Sequence, residues 1–331
     1  MSGMKSKTVK SVIRKKINEW FESIDDPVIR KMVKENTIVT GGCIPSMLLG
    51  EEINDFDVYF RNYETVLKVA EYYVKKFKKN SKSDLKIFVQ EDKDLRGKKC
   101  VKIMVQSAGV EKENREQKYQ YFETRPEEET EDYIDDIFNS GENSGKIIFN
   151  PFEAAEKEEF LYNKMKNQET KKNRFRPVFL TTNAITLSDS VQIVLRFYGE
   201  PEEIHENYDF VHCTNCWKSW DNELVLNPKA LECLLSKTLV YQGSLYPVCS
   251  LFRIRKFIKR GWKINAGQIL KIALQVSKLD LTDMRVLRDQ CVGVDVAYFT
   301  QVLDMIESKC TDQESIDSSY LVEVIEEMFG E

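Results

Sequence analysis

Residues 38–60 read IVTGGCIPSMLLGEEINDFDVYF, and this stretch decides the fold. An apolar run ends at the glycine pair 41–42, and a short helix is expected at 45–49. A second apolar segment then carries two aspartates one residue apart. Because side chains alternate between the two faces of a strand, Asp55 and Asp57 are predicted to project from the same face. The sequence therefore places two carboxylates beside a small turn.

These carboxylates and glycines together are typical of a site for a metal ion and a phosphate. Mg²⁺ prefers oxygen ligands and often shares them with substrate phosphates. A backbone without Cβ atoms can approach a triphosphate closely, and amides in a turn that leads into a helix attract anions. We predict that Asp55 and Asp57 bind Mg²⁺ or Mn²⁺ and that Gly41, Gly42 and Ser46 hold a nucleoside triphosphate (NTP). Taken singly, Asp-x-Asp also suits a solvated strand end, and Gly-Gly an ordinary turn.

Composition limits the class of protein. With 331 residues and 42% hydrophobic residues, the chain can bury a core and divide into two or three domains. No apolar run approaches the ~20 residues that span a bilayer, and the basic N-terminus has no signal-peptide character, so a cytoplasmic location is expected. Eight irregularly spaced cysteines suggest reduced thiols, and a net charge of −5 argues against general nucleic-acid binding.

Hydrophobic periodicity predicts an α+β fold, in which a small mixed-sheet head precedes an all-helical C-terminal lobe. In the head, helices are expected at 5–22, 63–78 and 201–206, and strands at 85–90, 101–105, 177–180, 184–187, 191–197 and 208–211. The helices expected in the lobe are 228–241, 247–260, 265–278, 281–290, 293–308 and 315–329.

The predicted domains are N-terminal helices at 1–36, a head at 37–227 and a helical neck and body at 228–331. The head contains an acidic insertion at about 108–174. Between Glu111 and Asp136, eleven acidic residues stand against four basic ones, with few aliphatic side chains. Its acidity would repel nucleic acid, so we expect the insertion to lie away from the substrate path.

A third carboxylate is expected, because two-metal nucleotidyl transfer generally uses three. Asp209 is the candidate catalytic and metal-binding residue, since it lies in an apolar run where an unpaired charge would be costly. The alternative is a salt bridge to an arginine such as Arg196. A zinc site built from His205, His212, Cys213 and Cys216 is weakly indicated and stays open, because the Cys-x-x-Cys lacks a second pair.

The helix expected at 247–260 is strongly basic and carries no acid. Its cations are Arg253, Arg255, Lys256, Lys259 and Arg260. Arginine forks onto phosphate oxygens and lysine acts as a point charge, so Arg253, Arg255 and Lys259, with Arg196, are predicted to contact the nucleotide or an RNA acceptor. The alternative is a solvated face that pairs with acids elsewhere.

Three segments resemble the class II template-independent nucleotidyltransferases, the bacterial poly(A) polymerases and CCA-adding enzymes of the polymerase β superfamily. The segments are 41–50 with the Asp-Phe-Asp of 55–57, Tyr208-Asp209-Phe210 followed by 222–228, and the basic helix region 247–264. The resemblance implies a metal-dependent enzyme that adds nucleoside monophosphates from NTPs to RNA, such as a tRNA 3′ end. No DNA-readout motif and no membrane partner are expected.

Several positions depart from that family pattern. Pro45 and Ser46 replace its Arg-Asp, and Asn207 and Tyr208 replace its arginine pair. The family's third acid usually lies on the strand at 191–197, where this chain has Gln192. Two alternatives therefore stay open: a nucleotidyltransferase that modifies a protein or small molecule, and an inactive binding protein of the same fold. The Lys, Glu and Asn bias of the insertion suggests a phage or large-virus member, acting in the host cytoplasm.

Overall fold

The computed structural model describes residues 3–80, 86–93, 97–106 and 174–281, together with 283, 286 and 290. The chain forms two compact units. Unit 1 comprises Met1–His205 and Cys213–Asn227, and unit 2 comprises Glu206–His212 and Pro228–Glu331. Among the described residues, no helix combines the length and the apolar character that crossing a membrane requires.

Unit 1 contains five helices and nine strands in its described part. The helices are α1 (Ser6–Glu22), α2 (Pro27–Asn36), α3 (Cys43–Leu49), α4 (Tyr63–Asn80) and α5 (Pro201–His205). The strands are β1 (Thr37–Thr40), β2 (Phe56–Phe60), β3 (Lys86–Lys93), β4 (Lys99–Gln106), β5 (Pro177–Leu180), β6 (Ala184–Leu187), β7 (Val191–Tyr198), β8 (Cys216–Lys218) and β9 (Glu223–Val225).

Seven of these strands form one mixed sheet in the order β5-β6-β7-β2-β1-β8-β9. The β2–β7 pair is parallel, and the other neighbouring pairs are antiparallel. Strands β3 and β4 form a separate antiparallel pair. The mixed α/β architecture expected from the sequence is therefore present, with the two aspartates at the start of the central strand β2.

The strand register places residues of the seven-stranded sheet in rows that point to one face or the other. Helices cover one of these faces. One row across five strands is buried and joins the main core cluster: Trp217, Val39, Val58, Ile193 and Ile185. Helices α1 and α4 contribute to the same core, where Trp20 Nε1 donates to Tyr73 Oη at 2.7 Å. The adjacent row points to the opposite face: Cys216, Thr40, Asp57, Gln192 and Thr186.

Local chemistry explains where the helices begin. The Asp26 side chain accepts hydrogen bonds from the backbone amides of Val28 and Ile29 and caps α2. Helix α3 begins at Cys43, two residues before the expected start. Pro45 lies in its first turn, where a missing N–H leaves no intrahelical hydrogen bond unmade.

Unit 2 contains three helices in its described part: α6 (Pro228–Ser236), α7 (Pro247–Lys259) and α8 (Ala266–Val276). Helix α6 is shorter than the predicted 228–241. Its end is set by Lys237, which adopts a left-handed conformation with φ of 47°. The helices predicted at 293–308 and 315–329, most of 281–290, and the insertion up to residue 173 lie outside the described residues.

The strand predicted at 208–211 is wrong. The segment makes one isolated bridge, Phe210 to Tyr241, and then turns into a single 3₁₀ turn, Val211–Cys213. Two backbone hydrogen bonds tie it to the loop after α6, Gln242 N to Asp209 O at 2.9 Å and Val211 N to Val240 O at 3.0 Å. Asp209 is therefore a loop residue and not a strand residue.

Candidate active site

The candidate site lies where β1 ends and β2 begins. Thr40, the last residue of β1, is paired in register with Asp57 of β2. Gly41 follows with φ of 90°, a conformation that side chains other than glycine rarely adopt. Its amide donates to the carbonyl of Cys213 at 3.3 Å. Gly42 is the N-terminal cap of α3, so the glycine pair forms the turn into this helix, as the sequence predicts.

The side chain of Asp57 lies directly against the backbone of Gly41. A Cβ atom built on Gly41 would overlap Asp57 Oδ2 and would lie 3.3 Å from its Cγ. The Asp57 carboxylate therefore rests on the backbone of the turn. Within the described part of the chain, a Cβ atom built on Gly42 meets no atom within 4 Å other than those of its own turn and helix, so open space adjoins the second glycine there.

Asp55 directly precedes β2, and its charge acts on the thiol of Cys43 as that of Asp57 does. The pKa of Cys43 is raised well above its usual range, first by burial and then by the charges of Asp57 and Asp55. Both carboxylates therefore lie near the first residue of α3, and both remain partly exposed. Partly exposed carboxylate oxygens that converge beside a turn are suitable ligands for a hard divalent cation such as Mg²⁺. The sequence did not single out Cys43, because an apolar small residue after a glycine pair carries no distinctive pattern.

A buried hydroxyl beneath the turn fixes the end of β1. Thr40 Oγ1 lies 2.7 Å from the carbonyl oxygen of Asn215 and 2.8 Å from Nε2 of His205. Because the carbonyl can only accept, the hydroxyl proton goes to Asn215, and His205 Nε2 is the donor to Thr40. No signal in the sequence indicates this contact, since the two side chains are 165 residues apart.

Both histidines make the protein sensitive to acid. Burial lowers the pKa of His205 and of His212 from about 6.5 to about 4. Because the folded-state pKa is the lower one, protonation favours the unfolded chain, and stability is lost as the pH falls from 6.5 towards 4. We expect protonation of each histidine to make the free energy of unfolding about 2–3 kcal/mol lower at pH 4.5 than at pH 7.5.

Urea unfolding at the two pH values measures this loss. His205→Gln keeps an amide donor for Thr40 and does not titrate, so its pH-dependent loss should be smaller than that of the wild type by about 2–3 kcal/mol. An unchanged loss in this variant would contradict the assignment of His205 as buried and neutral.

Asp209 lies in unit 2, where its carboxylate is engaged by a basic residue. Arg253 Nη1 of α7 donates to Asp209 Oδ2 at 2.6 Å, and the aspartate side chain is 12% exposed. The alternative predicted for Asp209, a salt bridge to an arginine, is therefore present. Its partner is Arg253 and not Arg196. The role of Asp209 as a third metal ligand stays a prediction.

The remaining predicted contacts are distributed over both units. In unit 1, Ser46 is buried in α3, and Arg196 lies on β7 with its guanidinium 6.0 Å from the Phe197 ring centre. In unit 2, Arg255 and Lys259 are exposed on α7. Within the described ranges, no three or more His, Cys, Asp or Glu side chains form a group suited to a metal ion.

Comparisons with solved structures give weak similarities. The Thermotoga maritima CCA-adding enzyme complexed with tRNA is 12% identical with a TM-score of 0.32, over 95% of this chain and 50% of that one. A CCA-adding enzyme in apo form I is 13% identical with a TM-score of 0.34, over 95% and 62%. The chain thus spans less than two thirds of either enzyme, and scores this low carry no argument about fold or function.

Sequence comparisons are more decisive. No curated protein matches the chain. A family model described as "Gabija anti-defense 2 family protein" matches residues 11–237, which is more than half of the chain. The chain therefore belongs to the Gabija anti-defense 2 (Gad2) family.

Proposed function

We propose that the chain is a metal-dependent nucleotidyltransferase, which transfers a nucleoside monophosphate from an NTP to an acceptor hydroxyl and releases pyrophosphate. The observation that carries the proposal is the contact of Asp57 with the Gly41 backbone, and Asp55 lies two residues before Asp57 with its charge acting on the Cys43 thiol. Carboxylates for a cation and a turn open to phosphates thus occupy one place in unit 1.

Each part of this site has a role in the proposed reaction. A divalent ion on Asp55 and Asp57 would neutralise negative charge on the reacting phosphates. The open space at Gly42 admits the phosphate tail, and the backbone there can approach it without steric hindrance. Thr40 and His205 hold the end of β1, and so keep the turn in position against Asp57.

An RNA 3′ end is the first candidate acceptor, as the resemblance to poly(A) polymerases and CCA-adding enzymes suggests. The charge of residues 228–281 supports a polyanionic acceptor. Between residues 228 and 281, ten lysines and arginines stand against two acidic residues, although the whole chain has a net charge of −5. A cationic surface of this kind attracts phosphate backbones without regard to sequence.

A second candidate acceptor follows from the family. Its description names an action against the Gabija defence. This favours an acceptor that belongs to that defence, a protein or a small molecule, and the same phosphate-transfer site would serve it. For both acceptors the donor is an NTP and the transferred group is a nucleoside monophosphate. A single labelling experiment therefore distinguishes the two acceptors.

The test supplies the purified protein with each of the four NTPs, labelled at the α-phosphate, and with Mg²⁺ or Mn²⁺. Parallel reactions contain total RNA, purified tRNA, or an extract of cells that express the Gabija system, and EDTA provides the metal-free control. We expect metal-dependent label in RNA. Label in protein or in a small molecule would select the second acceptor. If no acceptor gains label with any NTP, the proposal is refuted, and an inactive binding protein remains.

A further inference from the structure

We propose that Gln192 is a further residue of the carboxylate site and a neutral oxygen ligand for the cation that Asp55 and Asp57 bind. This inference rests on the proposed function. It gives the site two negative charges together with one amide, and it assigns the side chain next to Asp57 in the sheet a contact with the cation.

The register of the sheet places Gln192 beside Asp57. Strands β2 and β7 are parallel, and the Cα atoms of Asp57 and Gln192 are partners. Neighbouring strands lie about 4.8 Å apart, and paired residues project to the same face. The flanking pairs, Phe56 with Val191 and Val58 with Ile193, point to the core. The carboxylate and the amide therefore emerge together on the face opposite to the helices.

The polar row is bordered by buried residues on β1 and β2. Two residues from Thr40 and Asp57 on the same face, Ile38 and Tyr59 are paired and buried, at 0% and 7% exposure. By contrast, Asp57 and Gln192 are partly exposed. Along β7, Val194 and Arg196 on the same face are also partly exposed, so the polar row is covered on the β1 and β2 side and open on the β7 side.

The start of β7 is held firmly against β2, so this juxtaposition is fixed. Ser190 O accepts from Phe56 N at 2.9 Å, directly between the two aspartates. Asp189 and Ser190 both have positive φ, and the Asp189 carboxylate accepts from Arg174 at 3.2 Å. Arg174 also donates to Glu19 of α1 at 2.9 Å. This hairpin turn, anchored by a charge network, thus sets the position of Gln192.

The chemistry of an amide explains what glutamine contributes here. Its carbonyl oxygen can coordinate a hard cation, but it adds no charge. Affinity for a divalent ion rises with the number of charged ligands, so a carboxylate at this position should bind the cation more tightly. Gln192→Glu is nearly isosteric and adds that charge, whereas Gln192→Leu keeps the size and removes the oxygen.

The test measures Mn²⁺ binding to the full chain without nucleotide, by electron paramagnetic resonance of free Mn²⁺. We expect Gln192→Glu to tighten the Kd about tenfold and Gln192→Leu to weaken it about tenfold. Val194→Glu is the matched control, because it adds the same charge on the same face of β7, two residues further along. That variant should change the Kd less than about threefold.

The inference is overturned if Gln192→Glu binds Mn²⁺ no more tightly than Val194→Glu, or if Gln192→Leu binds it as the wild type does. This readout does not depend on transfer. If the wild type binds Mn²⁺ with the expected response to Gln192 but labels no acceptor, the proposed function fails and the assignment of Gln192 stands. Thermal melting of each variant confirms that the compared chains are folded.

Discussion

Asp55→Asn and Asp57→Asn are each expected to lower nucleotidyl transfer by about 10³-fold, which corresponds to about 4 kcal/mol of transition-state stabilisation. Asparagine has the size of aspartate but lacks the charge that holds a divalent ion among phosphates. Because both carboxylates are assigned to one cation, the loss of either one leaves an incomplete site. Incorporation of labelled nucleotide at saturating NTP measures the effect.

The fold should tolerate these two changes. Both aspartates are partly exposed and asparagine has the size of aspartate, so each variant should fold, and thermal melting checks this. Glu52→Gln provides a matched control, because this exposed acid lies three residues before Asp55 and should not affect transfer. Wild-type incorporation by either asparagine variant would rule out the assigned site.

The Asp209→Asn variant tests whether Asp209 is a metal ligand or a structural residue. If Asp209 is a metal ligand, transfer should fall as it does for Asp57→Asn while the melting temperature is kept. If its role is the ion pair with Arg253, the variant should lose about 2 kcal/mol of stability, and Arg253→Met should lose a similar amount. The comparison of the two variants decides between these outcomes.

Gly41→Ala is the second change with a large expected effect. A Cβ atom at this position overlaps Asp57 Oδ2, and the backbone φ of 90° is strained for any side chain. We expect a loss of about 2–3 kcal/mol in unfolding free energy. We also expect about 10²-fold slower transfer, because displacement of a catalytic group by about 1 Å costs that much. Urea unfolding and labelled-nucleotide incorporation measure the two effects.

Gly42→Ala is its matched control. Its backbone is helical, with φ of −71°, and among the residues that the structure describes a Cβ atom there meets nothing within 4 Å outside its own turn and helix. Stability should therefore be kept or slightly increased. If the open space holds the triphosphate, the KM for NTP should rise while kcat changes little. Equal loss of stability in both variants would show that the contact between Gly41 and Asp57 is not what makes the first glycine necessary.

The sequence predicts the glycine turn before α3, because short-range rules govern it. Alternation along a strand places Asp55 and Asp57 on one face, and a glycine pair before a helix predicts the turn. The contact of Thr40 with His205, and the register that sets Gln192 beside Asp57, join residues far apart in the chain. Local patterns carry no information about such pairing.

The errors also have physical causes. The apolar segment at 208–211 has the composition of a strand, but only one bridge forms before the chain turns. Strand β8 was missed, because three residues do not display a period. Helix α6 ends early where Lys237 takes a left-handed conformation that propensity does not reveal for lysine. In each case tertiary context outweighed local preference.

The division of the chain into units constrains how evolution can recombine it. Residues Glu206–His212 belong to unit 2, although they interrupt the sequence of unit 1. There, the rings of Phe210 and His212 pack against Phe257, with centroids 5.6 Å and 4.6 Å apart. A graft of the C-terminal portion from residue 228 onward would leave these two rings without their native neighbours. Homologues that exchange this C-terminal portion should therefore also exchange the seven-residue segment Glu206–His212.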